Sequence, residues 1–274
     1  MEIEIIFEDE DLLVLEKPAG ITVNRSDTTK GERTVQDWMG QYIKGAEVAP
    51  PRRGSSRDFS PSQDFITRSG IVHRLDKETS GILLVAKNQE AFENLQQQFK
   101  ERRVKKVYTA LVHGKVVPSD GEIRVPVGRL PWNRKRFGVV AGGREAVTKY
   151  KVIRCFEVRN GKWDSESLNS RNQDVNPSAD GSSSKISHFS LLEIYPETGR
   201  THQIRVHLKH IGHPVFSDPL YAGRKTARND RKVLFRMFLH ASKIWFTHPK
   251  TEKLISFESP LPEELNELLN LLHS

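Results

Sequence analysis

Short apolar runs separated by charged or turn-forming residues recur along this chain: IEIIFED, LLVLEK, GILLVAK, VYTALVHG, TKYKVIRCFEV, FSLLEIY, KIWFTHP and LISFES. Their length and their richness in β-branched and aromatic residues predict strands. Helical spacing appears in three places. Asn88 can cap a helix through its side chain, and Ala91, Phe92, Leu95 and Phe99 then fall on one face, predicting a helix through about Arg103. A second helix is expected from near Thr201 to Gly212, with Ile204, Leu208 and Ile211 as its buried stripe and glycine just past its end. Pro262 opens a third, in which Leu265, Leu268, Leu269 and Leu272 repeat at helical spacing. Strands outnumber helices and often follow one another directly. The expected fold class is therefore α+β, with a mixed, mostly antiparallel central β-sheet, flanking helices and loops, and a cleft across the sheet.

Two stretches break this pattern, 42–65 and 164–185. Both are rich in Ser, Pro, Gly, Asn and Asp and nearly lack β-branched apolar residues, so neither is expected to bury enough surface to order itself. They read as surface insertions in a single domain spanning 1–274. The second lies between two alternating runs and should lengthen a hairpin loop.

Composition narrows the class. With 28% charged and 36% hydrophobic residues in 274, the chain has enough core formers to fold and is too polar for a membrane protein. Its start, MEIEIIFEDEDLL, is acidic where a signal peptide is basic, and no apolar run reaches the ~20 residues of a membrane span, so a cytoplasmic protein is expected. One cysteine, Cys155, excludes an intramolecular disulfide and a thiolate zinc site. The formal net charge is +8, and the excess is clustered in KERRVKK (100–106), RLPWNRKR (129–136) and GRKTARNDRK (223–232). Such clusters suit a polyanion, most commonly nucleic acid, although a solvated surface with interspersed countercharges would look alike.

Polar chemistry concentrates in two segments. HRLDKETSG packs His73, Arg74, Asp76, Lys77, Glu78, Thr79 and Ser80 into a loop just before an apolar strand, where a rigid scaffold can aim them into a cleft, or where they form an ordinary charged turn. In ETGRTHQIRVHLKHIGH, Arg200 and Thr201 sit at a helix start, and His202, Arg205 and Lys209 are expected to share a face opposite the Ile204 stripe. The histidines at 202, 207, 210 and 213 invite a metal, but HExxH is absent and no Asp or Glu lies between 198 and 217, so no metal is expected. GxGxxG, GxxxxGK[ST] and GxSxG are also absent, which removes the usual support for nucleotide cofactors and serine hydrolysis.

HRLDKETSGILLVAK, KKVYTALVHG and TGRTHQIRVHLKHIGHPVFSDPLY, in that order, resemble the motifs of the RluA-type RNA pseudouridine synthases. IIFEDEDLLVLEKPAGITV and LHASKIWFTHPKTEKLISFESPLP resemble the family's opening motif and closing strand pair, so the likeness spans nearly the whole chain outside the two insertions. The resemblance implies an enzyme that isomerises uridine in structured RNA, ribosomal or transfer, without a cofactor. Asp76 matches the essential carboxylate, acting as nucleophile at the sugar or as base toward a sugar proton. Arg205 matches the arginine that pairs with it, and Tyr108 matches the active-site tyrosine that stacks on the extracted base; without the resemblance Tyr108 reads as a core-facing strand residue. Arg74 matches a side chain that enters the RNA where the base has left. Lys17 and Lys87 match basic positions with either phosphate contact or structural pairing as their role. His73, Arg200, His202, Lys105 and Lys106 are expected on the RNA-binding surface, and Ile204 and Thr79 in the pocket wall.

Two features depart from the family pattern. Asn24 stands where histidine is common, and the 42–65 stretch precedes the catalytic motif. The opening motif begins by about residue 5, which suggests the single-domain branch without an N-terminal RNA-binding domain, and a monomer is expected. The competing readings are a catalytically inactive RNA-binding or ribosome-assembly factor on the same fold, and a two-carboxylate glycosidase, for which Asp76 lacks a partner other than Glu78. Replacing 166–184 by a short Gly-Ser linker should leave the urea midpoint and turnover almost unchanged, because loop closure differs by only ~1 kcal/mol over that range. Loss of activity with the fold retained would show that the stretch grips substrate.

Overall fold

Most of the apolar runs become strands of one sheet. The structure, a computed structural model, describes residues 3–26, 29, 31–42, 61–159 and 186–272. In chain order the strands are β1 (Glu4–Glu8), β2 (Leu12–Lys17), β3 (Ser80–Ala86), β4 (Lys105–His113), β5 (Asp120–Arg124), β6 (Val127–Leu130), β7 (Asn133–Val139), β8 (Val147–Arg159), β9 (Ile186–Pro196), β10 (Leu239–Thr247) and β11 (Leu254–Glu258). The main sheet runs β1-β2-β3-β10-β4-β9-β8-β5, with β11 added to the far half of β10. All these pairs are antiparallel except β3 with β10. The expected mixed, mostly antiparallel sheet is what forms. A separate hairpin, β6 with β7, stands beside it.

The continuous apolar runs LLVL and ILLVA reflect burial on both faces, which erases the polar half of a strand's alternation. Leu13, Leu15, Leu83 and Val85 face one core with Val35 and Met39 of helix α1 (Val35–Tyr42), while Leu12, Val14, Ile82 and Leu84 face another with Phe92 and Leu95 of helix α3 (Gln89–Lys100). Asn88 caps α3 as expected, its side chain accepting from the Ala91 N–H at 2.9 Å. The helix ends at Lys100, three residues before the expected Arg103.

Between them lies helix α2 (Pro61–Arg68), which corrects the reading of 42–65 as unable to order itself. Phe65 packs edge-on against Phe92 at 5.6 Å, and Asp64 accepts from Gln96 at 2.9 Å, so contacts with α3 supply what local composition lacks. Residues 43–60 and 160–185, the bulk of both expected insertions, lie outside the described residues. The remaining helices are α4 (Gln203–His210), α5 (Arg224–Asp230) and α6 (Glu263–Leu271). Among them α6 matches the expected C-terminal helix, packing Leu265, Leu268 and Leu272 into a third core with Phe216 and Phe238.

The parallel junction between β3 and β10 places the site. Ala241 lies opposite Gly81 on one side and Tyr108 on the other, and Tyr108 lies opposite Ile194. Gly81 has φ +110°, and a Cβ there would collide with the Ala241 backbone, so the close approach of the two strands requires glycine. The loop ending at Ser80, which carries Asp76, is thereby held beside Tyr108.

His240, fully buried in β10, bonds Ser80 at 2.8 Å and the Ser259 hydroxyl at 3.0 Å. Burial pulls its pKa down to about 4, whereas an unfolded histidine titrates near ~6.5. Between those values the unfolded chain binds a proton that the folded chain refuses, so this contribution to stability is full above about 6.5 and is lost as pH falls through the window. The urea midpoint should fall from pH 7 to 4.5, and His240→Gln should flatten that fall. Identical slopes for both proteins would exclude His240 as a cause.

Candidate active site

A cavity of about 660 Å³ opens above the β3–β10 junction, walled by the 71–76 loop, Tyr108 on β4, the 196–202 turn and the first residues of α4. Asp76 lies in it with 18% of its side chain exposed. Arg205, 6% exposed, donates from Nη1 to Asp76 Oδ2 at 2.9 Å. Its other two bonds go elsewhere: Nε to Asp218 Oδ2 at 2.8 Å and Nη2 to Asp218 Oδ1 at 2.9 Å. The arginine pairs with Asp76 as expected, but its two-pronged grip is on Asp218, and Asp76 receives one prong.

Asp218 is fully buried and escaped the sequence reading. Its Oδ1 also accepts from the Leu220 and Tyr221 N–H groups at 2.9 and 3.1 Å, the ordinary habit of Asp at a turn, and that habit is all SDPLY shows locally. The Arg205 guanidinium further lies 5.0 Å over the Tyr221 ring. Tyr221 Oη accepts from the Phe137 N–H at 3.1 Å and meets His202 Nδ1 at 2.9 Å, tying the β6–β7 hairpin to the cavity wall.

Gln203 was also missed. Fully hydrogen-bonded and buried, its Oε1 accepts from Thr198 Oγ1 and the Arg200 N–H, while its Nε2 donates to Val147 O and Thr148 Oγ1. Two of these bonds anchor the start of α4 to β8, and the other two close the 198–200 turn onto it. His202 precedes the helix in the left-handed region, φ +57°, instead of sharing a helical face with Arg205 and Lys209. Lys209 is exposed, and residues 203–208 are all buried, so the expected polar face of α4 does not exist. Arg205 is buried because its charge is paired.

Burial opposes the Asp76 charge most strongly, but His202, Arg205 and Arg74 together hold the carboxyl below its usual range. Burial also lowers His202, so near neutral pH its ring is uncharged and the guanidinium does the holding. In Arg205 burial is outweighed by Asp218 and Asp76, and the charge is reinforced. Burial and the Asp76 charge push the Tyr108 phenol well above its usual value, so it stays protonated.

The other expected residues divide. Arg74 is exposed at the cavity wall, and Arg200, Ile204 and Thr79 line it; the Thr79 hydroxyl is buried without a hydrogen-bond partner among the described residues. Lys106 lines it too, 5.7 Å over the Phe99 ring, pulled down to about 8 by burial. His73 stacks on Phe99 at 4.9 Å and accepts from the Leu84 N–H, with burial pulling it down to about 3, which makes it a neutral wall and no phosphate ligand. Lys17 is wholly buried and donates to the carbonyls of Pro18, Ile21 and Lys77 at 2.8, 2.9 and 3.2 Å. It fastens the backbone one residue past Asp76 and cannot reach RNA. Lys87 pairs with Glu8 at 2.7 Å away from the cavity lining, and Lys105 is exposed outside it. Asn24, the departure from histidine, lines the cavity.

Of the four clustered histidines, His207 and His213 bond the carbonyls of Val125 and His113. Asp9, Asp11 and His248 do bring ligand-type atoms together, but Asp9 is occupied by two backbone N–H groups and His248, and Asp11 by Asn88.

The sequence pattern of the family described as RNA pseudouridylate synthase matches residues 11–210 of this chain, and thus the Asp76 loop, Tyr108 and Arg205 together. The chain belongs to that family. Ribosomal large subunit pseudouridine synthase D of Neisseria meningitidis serogroup B is 34% identical over 279 residues, which take in 99% of this chain and 62% of the relative. An uncharacterised RNA pseudouridine synthase of Bacillus subtilis is 36% identical over 272 residues, 99% of this chain and 73% of that one. This chain thus spans about three fifths of the first of these pseudouridylate synthase relatives. The fold is shared with human RNA pseudouridylate synthase domain containing 1, with a TM-score of 0.60 and 24% identity over 100% of this chain and 95% of that one. No helix of the described residues is long and apolar enough to cross a membrane.

In this family member the buried Arg205 depends on Asp218 for half its countercharge. Asp218→Asn keeps the turn oxygen but removes the charge, and should cost about 3 kcal/mol in urea denaturation. A cost below about 1 kcal/mol would mean that Asp76 alone suffices to hold the arginine.

Proposed function

We propose that this protein is an RNA pseudouridine synthase that isomerises uridine in structured RNA, ribosomal or transfer, with Asp76 as the reacting carboxylate. The observation that carries the reading is a carboxylate kept ionised at a cavity wall by one prong of a buried arginine, in a chain of this family. The Neisseria relative's name refers to the large ribosomal subunit, which favours ribosomal RNA.

In the reaction the C1′–N1 bond breaks, the uracil turns, C1′ bonds to C5, and C5 gives up the proton that N1 gains. Atoms and electrons balance within the nucleotide, so the chemistry needs no cofactor. Asp76 either attacks C1′ or removes a sugar proton. Both roles need the ionised form, and Arg205 supplies the fixed counter-ion through Asp76 Oδ2 alone, in a side chain that stays partly exposed. Tyr108, kept protonated, acts as a ring surface against the base and as a hydrogen-bond donor rather than as a resting base. Arg74, exposed beside the cavity, is placed to fill the stack vacated by the uridine.

Asp76→Asn should reduce pseudouridine formation by at least about a thousandfold on total RNA from cells lacking the gene, with the fold and RNA affinity retained and the melting temperature lowered less than by Asp218→Asn, because Arg205 keeps both bonds to Asp218. A wild-type protein that binds this RNA and forms no pseudouridine would instead be the inactive RNA-binding factor. Turnover by Asp76→Asn close to wild type would remove the aspartate from the mechanism.

A further inference from the structure

Eight Lys and Arg side chains line the cavity, and three of them have partners within the fold: Arg205 has two carboxylates, Arg68 has Asp64 at 3.0 Å, and Lys106 has the Phe99 ring. Of the other five, Arg74 and Lys100 stand apart, and three arginines share one part of the wall. Arg102 comes from the turn after α3, Arg144 from the β7–β8 connection and Arg200 from the turn before α4. The carboxylates near them are engaged with other cations: Glu101 with Arg103 at 2.6 Å, Glu145 with Arg124 at 3.3 Å, and Glu197 with Lys149 at 2.7 Å. Arg200 is instead pinned through its Nε to the Glu145 carbonyl at 3.0 Å, which fixes its position beside Arg144 without neutralising it.

We propose that Arg102, Arg144 and Arg200 form one anion site on the cavity rim that takes a single backbone phosphodiester of the bound RNA strand. The inference rests on the reading of the protein as acting on RNA and adds where the strand is gripped. Three chain segments bring like charges together around open space, an arrangement that costs energy until an anion enters. Burial and the charges of Arg144 and Arg102 depress the Arg200 guanidinium, so both arginines lie within electrostatic reach of Arg200.

Arg102 adds an independent sign. It has φ +60° and occupies the left-handed position just past α3, with its N–H on Phe99 O and the next N–H on Gln98 O. Glycine is the favoured residue there, and a β-carbon is strained. The chain holds an exposed arginine at a place where the fold alone favours none, so the side chain serves something outside the fold.

That strain also provides a test in which loss of function cannot be blamed on loss of fold. Arg102→Gly should keep or raise the melting temperature. The probe is inorganic phosphate, added against chloride at matched ionic strength. Wild-type protein should show a saturable rise in melting temperature, and Arg102→Gly and Arg144→Gln should each lose most of it. Binding of unfractionated ribosomal and transfer RNA across a potassium chloride series should lose about 0.7 to 0.9 of salt slope in either variant and no more in the double variant, as one shared phosphate requires. Equal phosphate stabilisation in wild type and variants, or a double variant that loses twice the slope, overturns the shared site. Pseudouridine formation in the same RNA reads the enzymatic assignment separately. Phosphate binding without it keeps the site and removes the assignment, and turnover without phosphate binding does the reverse.

Discussion

A buried guanidinium between two carboxylates organises this molecule. Taking Arg205 out of water is unfavourable by several kcal/mol unless its hydrogens are matched, and they are matched by two segments distant in sequence, one carrying Asp76 and the other Asp218. The division of labour is uneven. Asp218 satisfies Nε and Nη2 and is tied into its own turn, so it is the fixed end. Asp76 holds the remaining prong and keeps part of its surface open, so it is the less constrained end. A carboxylate gripped on both oxygens would be ionised but occupied.

The scaffolding around that pair uses backbone carbonyls and amides more than charges. Lys17 is a buried cation held by three carbonyls, Gln203 satisfies both ends of its amide across three chain segments, and Glu78 takes Arg231 and the Met237 N–H. Each bond would be nearly worthless at the surface and becomes costly to break in the interior. Together they limit how far the Asp76 loop can move relative to β10 and α4.

How much of this was legible depended on whether the information was local. Strand runs buried on both faces, the Asn88 cap and the leucine spacing of α6 announce themselves within a dozen residues. Helix α2 did not, because its order comes from Phe92 and Gln96 on another helix. Charged side chains were the hardest to place. Lys17 and Lys87 look alike in sequence, yet one is sealed inside and the other pairs on the surface, and the motif HQIR shows that Arg205 matters without revealing that Asp218 is its main partner. The carboxylate, tyrosine and arginine were found through long motifs, and physical reasoning alone left Tyr108 as a core residue.

The strand arrangement has a consequence for how the protein comes into being. β10 lies in the middle of the main sheet, between β3 and β4, and its residue His240 contacts Ser80 across 160 positions of chain. A ribosome that has released everything up to α5 has therefore delivered Asp76, Tyr108, Arg205 and Asp218, but not the strand that spaces β3 from β4. Until β10 inserts, two inner edges stand open and these side chains have no common floor. The cavity and the Asp76–Arg205 pair beside it are thus complete only with the closing of the sheet.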